Sequence, residues 1–386
     1  MKVVFVSNYY NHHQAAVSQA LYTLTDGQYT FVQTEEMEAE RKNMGWDSSQ
    51  SPSFVKCSYS DKEARQECLR LIKEADLVIA GGSPTVESLI QGRIKSGKLL
   101  FRYSERVYKN EHAVRQRWLR GIKYHLCNFP YKNVYLLCAS AYAAADYAKT
   151  RNFVGKAYKW GYFPEMLTYG NMDALLQKKT PASILWVARM IDWKHPEVCL
   201  AVAKKLQEDG YAFSMDLIGS GVLADEMQKQ IEADGLADCV HLLGSMKPEE
   251  VRAHMEGARI FLFTSDFNEG WGAVLNESMN SGCAVVASHA IGASPYLLQN
   301  GKNGLLYKDG DTDDLYRQVK YLLDHPEKQT EFGKNAYETL AQTWNARTAA
   351  ERVLALAQCI LSGDKNPELY ESGPCSRAEV LENNWY

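Results

Sequence analysis

Short apolar runs alternate along the chain with longer amphipathic stretches, and this alternation predicts strands and helices in turn. In the first half Val3–Ser7, Tyr29–Gln33, Asp76–Ala80, Lys98–Tyr103 and Val134–Ala139 read as buried parallel strands. Helical periodicity covers Ala15–Leu24, Lys62–Glu74, Asn110–Tyr124 and Ser140–Thr150. The stretch Glu35–Ser53 reads as an exposed excursion, and Gly81-Gly82-Ser83-Pro84 as a turn. Aromatic, Gly and Pro residues then crowd Lys159–Glu165, as at a domain crossing, and the rhythm starts afresh. Strands are predicted at Ser183–Ala188, Ser214–Ile218, Val240–Leu243, Ile260–Phe263, Cys283–Ala287 and Gly301–Tyr307. Helices are predicted over Glu197–Asp209, Glu249–Glu256, Ala273–Asn280, Thr312–Leu323, Pro326–Gln342 and Ala346–Leu361. Two successive strand-loop-helix series imply an α/β chain of two doubly wound, Rossmann-like domains.

The length of 386 residues agrees, since it exceeds what one core usually organises. The hydrophobic fraction of 46% and charged fraction of 23% are those of a soluble globular protein. A net charge of −4 argues against a nucleic-acid partner. The 9 cysteines are scattered singly without a CxxC pair, which points to reduced thiols rather than disulfides or zinc. No apolar run is long enough to span a bilayer, and the N-terminal run is too short for a signal peptide, so a cytoplasmic location is expected. The basic helix at 110–124, with Arg115, Arg117, Arg120 and Lys123 among Trp118, Leu119 and Ile122, reads either as a solvated face or as a peripheral contact with the cytoplasmic membrane face. The tail 362–386 is polar and shows no period.

Candidate chemistry gathers where strands end. The stretch Phe261–Asp311 carries Glu269-Gly270-Trp271-Gly272 at the mouth of a helix and Glu277 eight residues on, about two turns later. That spacing places both carboxylates on one side of the helix, whose N-terminus favours an anion. Either carboxylate alone reads equally as a dipole partner or a solvated residue; the glycines and the neighbouring loops favour a site. Arg189 and Lys194 flank one loop after a strand, where two cations suit a diphosphate. Gly219-Ser220-Gly221 follows the next strand, a weak signal by itself. In the first half His12 and His13 follow the first strand, and Glu105 and Arg106 follow another. These four are candidates for acceptor contact, with solvated imidazoles and a surface ion pair as the plain alternatives.

Ala188-Arg189 with Lys194, Gly219-Ser220-Gly221, Leu243-Gly244 and Glu269-Gly270-Trp271-Gly272 with Glu277 resemble the nucleotide-sugar-binding half of retaining glycosyltransferases of the GT-B architecture, of the family 4 (group 1) type. The resemblance spans about 184–361. It implies two Rossmann-like domains facing across a cleft, with a C-terminal helix crossing back to the first. The expected limits are 1–163 for an acceptor domain, 164–345 for a donor domain, and 346–386 for the crossing helix and tail.

By the same resemblance Arg189 and Lys194 bind the diphosphate, Glu277 holds the ribose, and Glu269 contacts the transferred sugar. The backbone of Gly270, Trp271 and Gly272 lies along sugar and phosphates, and Met246 and Lys247 fall in the base-contacting loop. Gly219 and Gly221 belong to the donor side. The implied reaction is retaining transfer of a hexose from a nucleotide-diphosphate sugar to a glycan or lipid-linked acceptor, in polysaccharide or glycoconjugate biosynthesis. No DxD-type pair stands at a strand end, so no metal and no other cofactor is expected. The chain departs from the family at Ala188, where a glycine is common, at the first strand, which lacks a following glycine pair, and at Gly292-Ala293-Ser294-Pro295. Alternative readings are a nucleotide-sugar-binding protein without turnover, or another enzyme of the same architecture such as an epimerase or a phosphorylase-like protein. No lysine-centred pyridoxal site supports the phosphorylase.

Overall fold

The computed structural model describes residues 1–37, 51–109, 114–128 and 133–386. Most of the excursion read over 35–53, and the first residues of the basic helix at 110–113, lie outside the described residues. The chain divides into two compact units, Met1–Glu165 with Trp344–Trp385, and Met166–Thr343 with Tyr386.

The first unit runs β1 (Val3–Ser7), α1 (His12–Leu24), β2 (Tyr29–Gln33), β3 (Val55–Cys57), α2 (Lys62–Glu74), β4 (Leu77–Ala80), α3 (Pro84–Lys95), β5 (Leu100–Ser104), α4 (Val114–Asn128), β6 (Val134–Cys138), α5 (Ala143–Ala148) and β7 (Ala157–Lys159). These seven strands pair in parallel with one another, in the order β3-β2-β1-β4-β5-β6-β7. Phe5 of β1 stands between Phe31 of β2 and Ile79 of β4. Every residue of β1, β4 and β6 is buried, as continuous apolar strands covered on both faces must be.

Two helix starts differ from the sequence pattern. α1 begins at His12, because the Asn11 side chain accepts a hydrogen bond from the His13 N–H and caps the first turn. His12 and His13 therefore stand on the helix and not in the loop. Gly81-Gly82-Ser83-Pro84 opens α3, with Ser83 as cap and Pro84 in the first turn, where a missing N–H costs nothing.

The second unit runs α6 (Met172–Lys178), β8 (Ser183–Val187), a 3-10 turn (Asp192–Lys194), α7 (Glu197–Glu208), β9 (Ser214–Ile218), α8 (Ala224–Ala233), β10 (Val240–Gly244), α9 (Pro248–Gly257), β11 (Ile260–Phe263), α10 (Ala273–Asn280), β12 (Ala284–Ser288), α11 (Ser294–Leu297), β13 (Leu305–Tyr307), α12 (Thr312–Asp324) and α13 (Pro326–Gln342). Its six strands are parallel, in the order β10-β9-β8-β11-β12-β13. Ile184, Trp186, Leu217, Ile260, Leu262, Ala284 and Val286 meet the helices in one apolar core.

The last helix, α14 (Ala346–Leu361), packs against α1 and belongs to the first unit. The tail beyond it is ordered by the sheet edge. Lys159 donates to the Ser376 carbonyl at 2.8 Å, Cys375 to Lys159 at 2.8 Å and Ala378 to Ala157 at 3.0 Å, which pairs the tail antiparallel with β7. A short edge strand is thereby covered.

The strand order reverses between β1 and β4 in the first unit and between β8 and β11 in the second. Loops that leave neighbouring strands in opposite directions open a crevice at such a point, where doubly wound domains bind ligands.

Candidate active site

In the second unit the reversal brings together the loop after β8, residues 188–194, and the loop after β11, residues 264–272. Thr264 fastens them. Its hydroxyl donates to the Lys194 carbonyl at 2.6 Å and accepts from the Trp186 indole at 2.8 Å. The Asp266 N–H donates to the Trp193 carbonyl at 3.2 Å.

The loop after β9 packs just as closely on the other side. Met190 donates to the Ser220 carbonyl at 2.8 Å, and a Cβ at Gly219 would lie 1.8 Å from the Ala188 oxygen. A Cβ at Gly221 would lie 2.2 Å from the Met190 oxygen. Any side chain at either position would push the Arg189 loop away, so both glycines serve the backbone of this site.

Its charges are arranged unevenly. Lys194 forms an ion pair with the Glu269 carboxylate, and both side chains are only 11% exposed. Ser265 Oγ donates to Glu269 Oε2 at 3.0 Å, fixing the carboxylate further. The Lys194 ammonium also lies 4.3 Å from the Trp193 ring centre, a cation–π contact. Arg189 is exposed, stands 5.9 Å over the same ring, and has no carboxylate partner among the described residues. One cation is thus internally compensated and the other is available to an anion.

Beside them His195 adopts the left-handed conformation, φ 50°, and is held by Asp266 at 3.5 Å and Glu197 at 2.9 Å. Hydrogen bonds from these two carboxylates raise its pKa to about 10.

Of the two glutamates Glu277 alone lies on the helix, whereas the eight-residue spacing implies one helix side for both. Gly272, at φ 89°, ends the loop before α10 starts, and a Cβ there would strike the Phe263 ring at 2.4 Å. Glu269 therefore hangs from the loop and takes its position from Lys194 and Ser265, whereas Glu277 sits within α10. Burial raises the Glu277 pKa, with the Arg252 charge opposing. Arg252 donates to the Glu277 carbonyl, Asn280 Oδ1 and Ser281 Oγ, each at 3.1 Å, and so braces the end of α10. The Glu277 carboxylate itself has no hydrogen-bond donor among the described residues.

Trp271 is fully buried, its indole donating to Asn276 at 2.9 Å, so only its backbone remains for a ligand. Gly270 is also buried. The Gly292-Ala293-Ser294-Pro295 loop joins this wall through the Ala293 N–H, which donates to the Trp271 carbonyl at 3.2 Å. Met246 is half-buried and Lys247 exposed, where β10 passes into α9.

In the first unit the acceptor candidates separate. The His13 ring stacks on Tyr162 at 5.2 Å and touches His12, with 3.9 Å between centres. Burial lowers the His12 pKa, which favours the neutral imidazole. Tyr162 donates to Glu105 at 2.5 Å, and Lys109 reaches the other carboxylate oxygen at 3.1 Å. His12, His13 and Glu105 thus belong to one aromatic and polar group.

Arg106 does not join it. Its side chain is 1% exposed, paired with equally buried Asp146 at 3.3 Å and stacked on Tyr142. Asp146 also accepts from the Val107 and Tyr108 N–H groups, so this pair ties the segment after β5 to α5.

Trp193, Ser265, Thr264 and Arg252 carry parts of the second unit's site that sequence reasoning passed over, and Tyr162 does so in the first. Trp193 stood beside a candidate cation, and Ser265 lay four residues before Glu269; both were open to inspection. Among the described residues no group of three or more His, Cys, Asp or Glu side chains is placed to hold a metal ion.

With two parallel sheets of this order, the chain has the fold of GT-B glycosyltransferases. The structure of HepE from Anabaena in complex with UDP matches with a TM-score of 0.68 and 15% identity, covering 93% of this chain and 100% of that one. S. aureus TarM matches with a TM-score of 0.68 and 12% identity, covering 92% and 99%. Residues 171–339 match the family model of glycosyl transferases group 1. The amylovoran biosynthesis glycosyltransferase AmsK of Erwinia amylovora is 33% identical over 162 residues, which are 41% of this chain and 39% of that protein. The chain spans about half the length of the curated relatives it matches.

Proposed function

We propose that this chain is a glycosyltransferase that moves a sugar from a nucleotide-diphosphate donor to a glycan or lipid-linked acceptor, with retention of anomeric configuration and without a metal ion. The observation that carries the reading is the Arg189 guanidinium without a carboxylate partner, set at the strand reversal beside the Lys194–Glu269 pair. A diphosphate presents the charge that Arg189 lacks and draws Lys194 as well. Glu277, a carboxylate without a protein donor among the described residues, suits the two hydroxyls of a ribose. Met246 and Lys247 stand for contacts to the base.

As the bond from the anomeric carbon to the diphosphate breaks, its electron pair goes to the phosphate oxygen. Arg189, Lys194 and the N-terminus of α10 stabilise that charge where it develops. The anionic Glu269 favours the positive charge growing on the sugar ring. The acceptor oxygen then bonds to the same face, and its proton passes to the departing phosphate. Two fixed cations supply the leaving-group stabilisation that a metal supplies elsewhere. A role in polysaccharide biosynthesis follows the amylovoran relative, and UDP-sugars head the list of donors to try because HepE was crystallised with UDP.

The test is a thermal-shift panel of UDP-, GDP- and ADP-sugars, with and without EDTA, on the native protein and Arg189→Ala. One nucleotide series raises the melting temperature, EDTA leaves the rise unchanged, and the variant loses it. No shift with any nucleotide sugar at millimolar concentration would remove the donor site. A shift without sugar transfer to any acceptor extract would favour a binding protein.

A further inference from the structure

Helix α4 carries two apolar stripes, and folding uses one of them. Tyr124 turns inward, its ring 5.1 Å from Tyr147, and Gly121 lies so close to Thr150 that a Cβ would stand 3.1 Å from its methyl carbon. Arg120, on the same side, donates to the Val107 carbonyl at 2.6 Å and covers the Tyr108 ring. The second stripe comprises Trp118, Leu119, Ile122 and Leu126, at a spacing that keeps them on one side of a helix. They are 65%, 51%, 39% and 72% exposed. Scattered exposed apolar residues are ordinary; four large ones on one helix face mark a contact surface.

Charge says what covers it. Between residues 112 and 164 the chain has nine Lys or Arg and a single acidic residue, Asp146, while the whole chain has a net charge of −4. Asp146 is buried against Arg106; the tail offsets two of the nine, Glu382 pairing with Lys149 and Glu379 with Lys159, and leaves the excess positive. Thr150, packed against Gly121, is followed by exposed Arg151; exposed Lys123 stands on α4 itself, and Lys149 is paired with Glu382 of the tail at 3.3 Å. An apolar stripe with a tryptophan, on a helix whose sequence carries Arg and Lys and not one carboxylate, matches an anionic lipid surface. A nucleic acid would meet the basic residues but leave the stripe exposed.

We infer that α4 lies in the headgroup region of an anionic bilayer, with Trp118, Leu119, Ile122 and Leu126 inserted and Lys123 and Arg151 on the lipid phosphates. This surface holds the enzyme where a lipid-linked acceptor resides. The inference adds a partner to the proposed transferase but does not depend on donor binding.

The test is flotation of the full chain, without nucleotide, on vesicles of phosphatidylcholine alone and of phosphatidylcholine with phosphatidylglycerol. The native protein floats with the anionic vesicles at low salt and is released by high salt. Trp118→Glu with Leu126→Glu abolishes flotation, while Lys123→Glu and Arg151→Glu each weaken it about fivefold. All variants keep the native melting temperature and its shift by nucleotide sugar, which separates this result from failure of the donor site. Absence of flotation on anionic vesicles overturns the inference. So does flotation unaffected by the Trp118 and Leu126 changes, or a native dimer that those changes dissociate.

Discussion

The two strand reversals, β8/β11 in the second unit and β1/β4 in the first, share a topology and differ in what fills them. In the second unit backbone meets backbone. Gly219 and Gly221 admit the neighbouring loop at distances no side chain allows, Gly272 turns the chain under Phe263, and a mostly buried ion pair sets the charge. In the first unit β1 leads to a helix whose opening residues are imidazoles, and the polar groups nearby are held by an aromatic ring, Tyr162. The difference teaches how each site takes change. A backbone-built site suits an invariant group such as a diphosphate, whereas a side-chain-built site is altered by single substitutions and suits a partner that varies between related proteins.

The largest effect separating the two units is expected in turnover. Arg189→Ala or Glu269→Gln should lower kcat by about 100- to 1,000-fold, as loss of a group facing transition-state charge does. His13→Ala or Glu105→Gln should raise KM for the acceptor and leave the donor-induced thermal shift intact. Steady-state kinetics with both substrates varied distinguishes them. Equal effects on donor binding from both units would break the comparison.

Stability comes next. Lys194→Met leaves the Glu269 carboxylate nearly buried without its partner, at a cost of about 1–3 kcal/mol, seen as a lower urea midpoint. Adding Glu269→Gln should restore much of it, because the pair, not the lysine, is what the site requires. Gly219→Ala should cost about 1–3 kcal/mol through the clash with Ala188. Alanine at Gly82, where no atom lies within 4 Å, should cost little.

These glycines also show how far the sequence could be read. Parallel strands announced themselves as continuous apolar runs, since covered strands have no polar face, and α13 and α14 were delimited by Pro326 and by Asn345 with its cap. Arg189, Lys194 and Glu269 were recognisable by type and place at strand ends. What escaped was tertiary. Nothing in a linear pattern says that Lys194 is already paired with Glu269, that Glu269 lies off the helix carrying Glu277, or that Arg106 is spent on Asp146. Short elements escaped as well. β3 and β7 have three residues each, too few for a period, and β7 is completed by a tail that has no pattern until it meets the edge.

Smaller effects follow from titration. Burial raises the Glu277 pKa, and in the proposed function it is the ionised form that would accept the ribose hydroxyls. Donor affinity should therefore fall as pH drops from neutral through that raised pKa, while Glu277→Gln binds about tenfold more weakly with no pH dependence over the window. Calorimetric titration at several pH values measures both.

The smallest effect expected is at His195. Its folded pKa of about 10 lies above the ordinary 6.5, so its stabilising contribution is complete below pH 6.5 and is lost as pH rises through about 10. The difference in urea midpoint between the native protein and His195→Gln should shrink over that window. A constant difference would mean that the bonds to Asp266 and Glu197 do not depend on its charge.

The central claim is that Arg189 and Lys194 receive a diphosphate, and calorimetry of nucleoside diphosphates against their parent nucleosides tests it most directly. The account predicts that one base series binds far more tightly as the diphosphate than as the nucleoside, and that Arg189→Ala removes most of that difference while leaving nucleoside affinity unchanged. Equal affinity for nucleoside and diphosphate in every series, or a difference that survives Arg189→Ala, would contradict it.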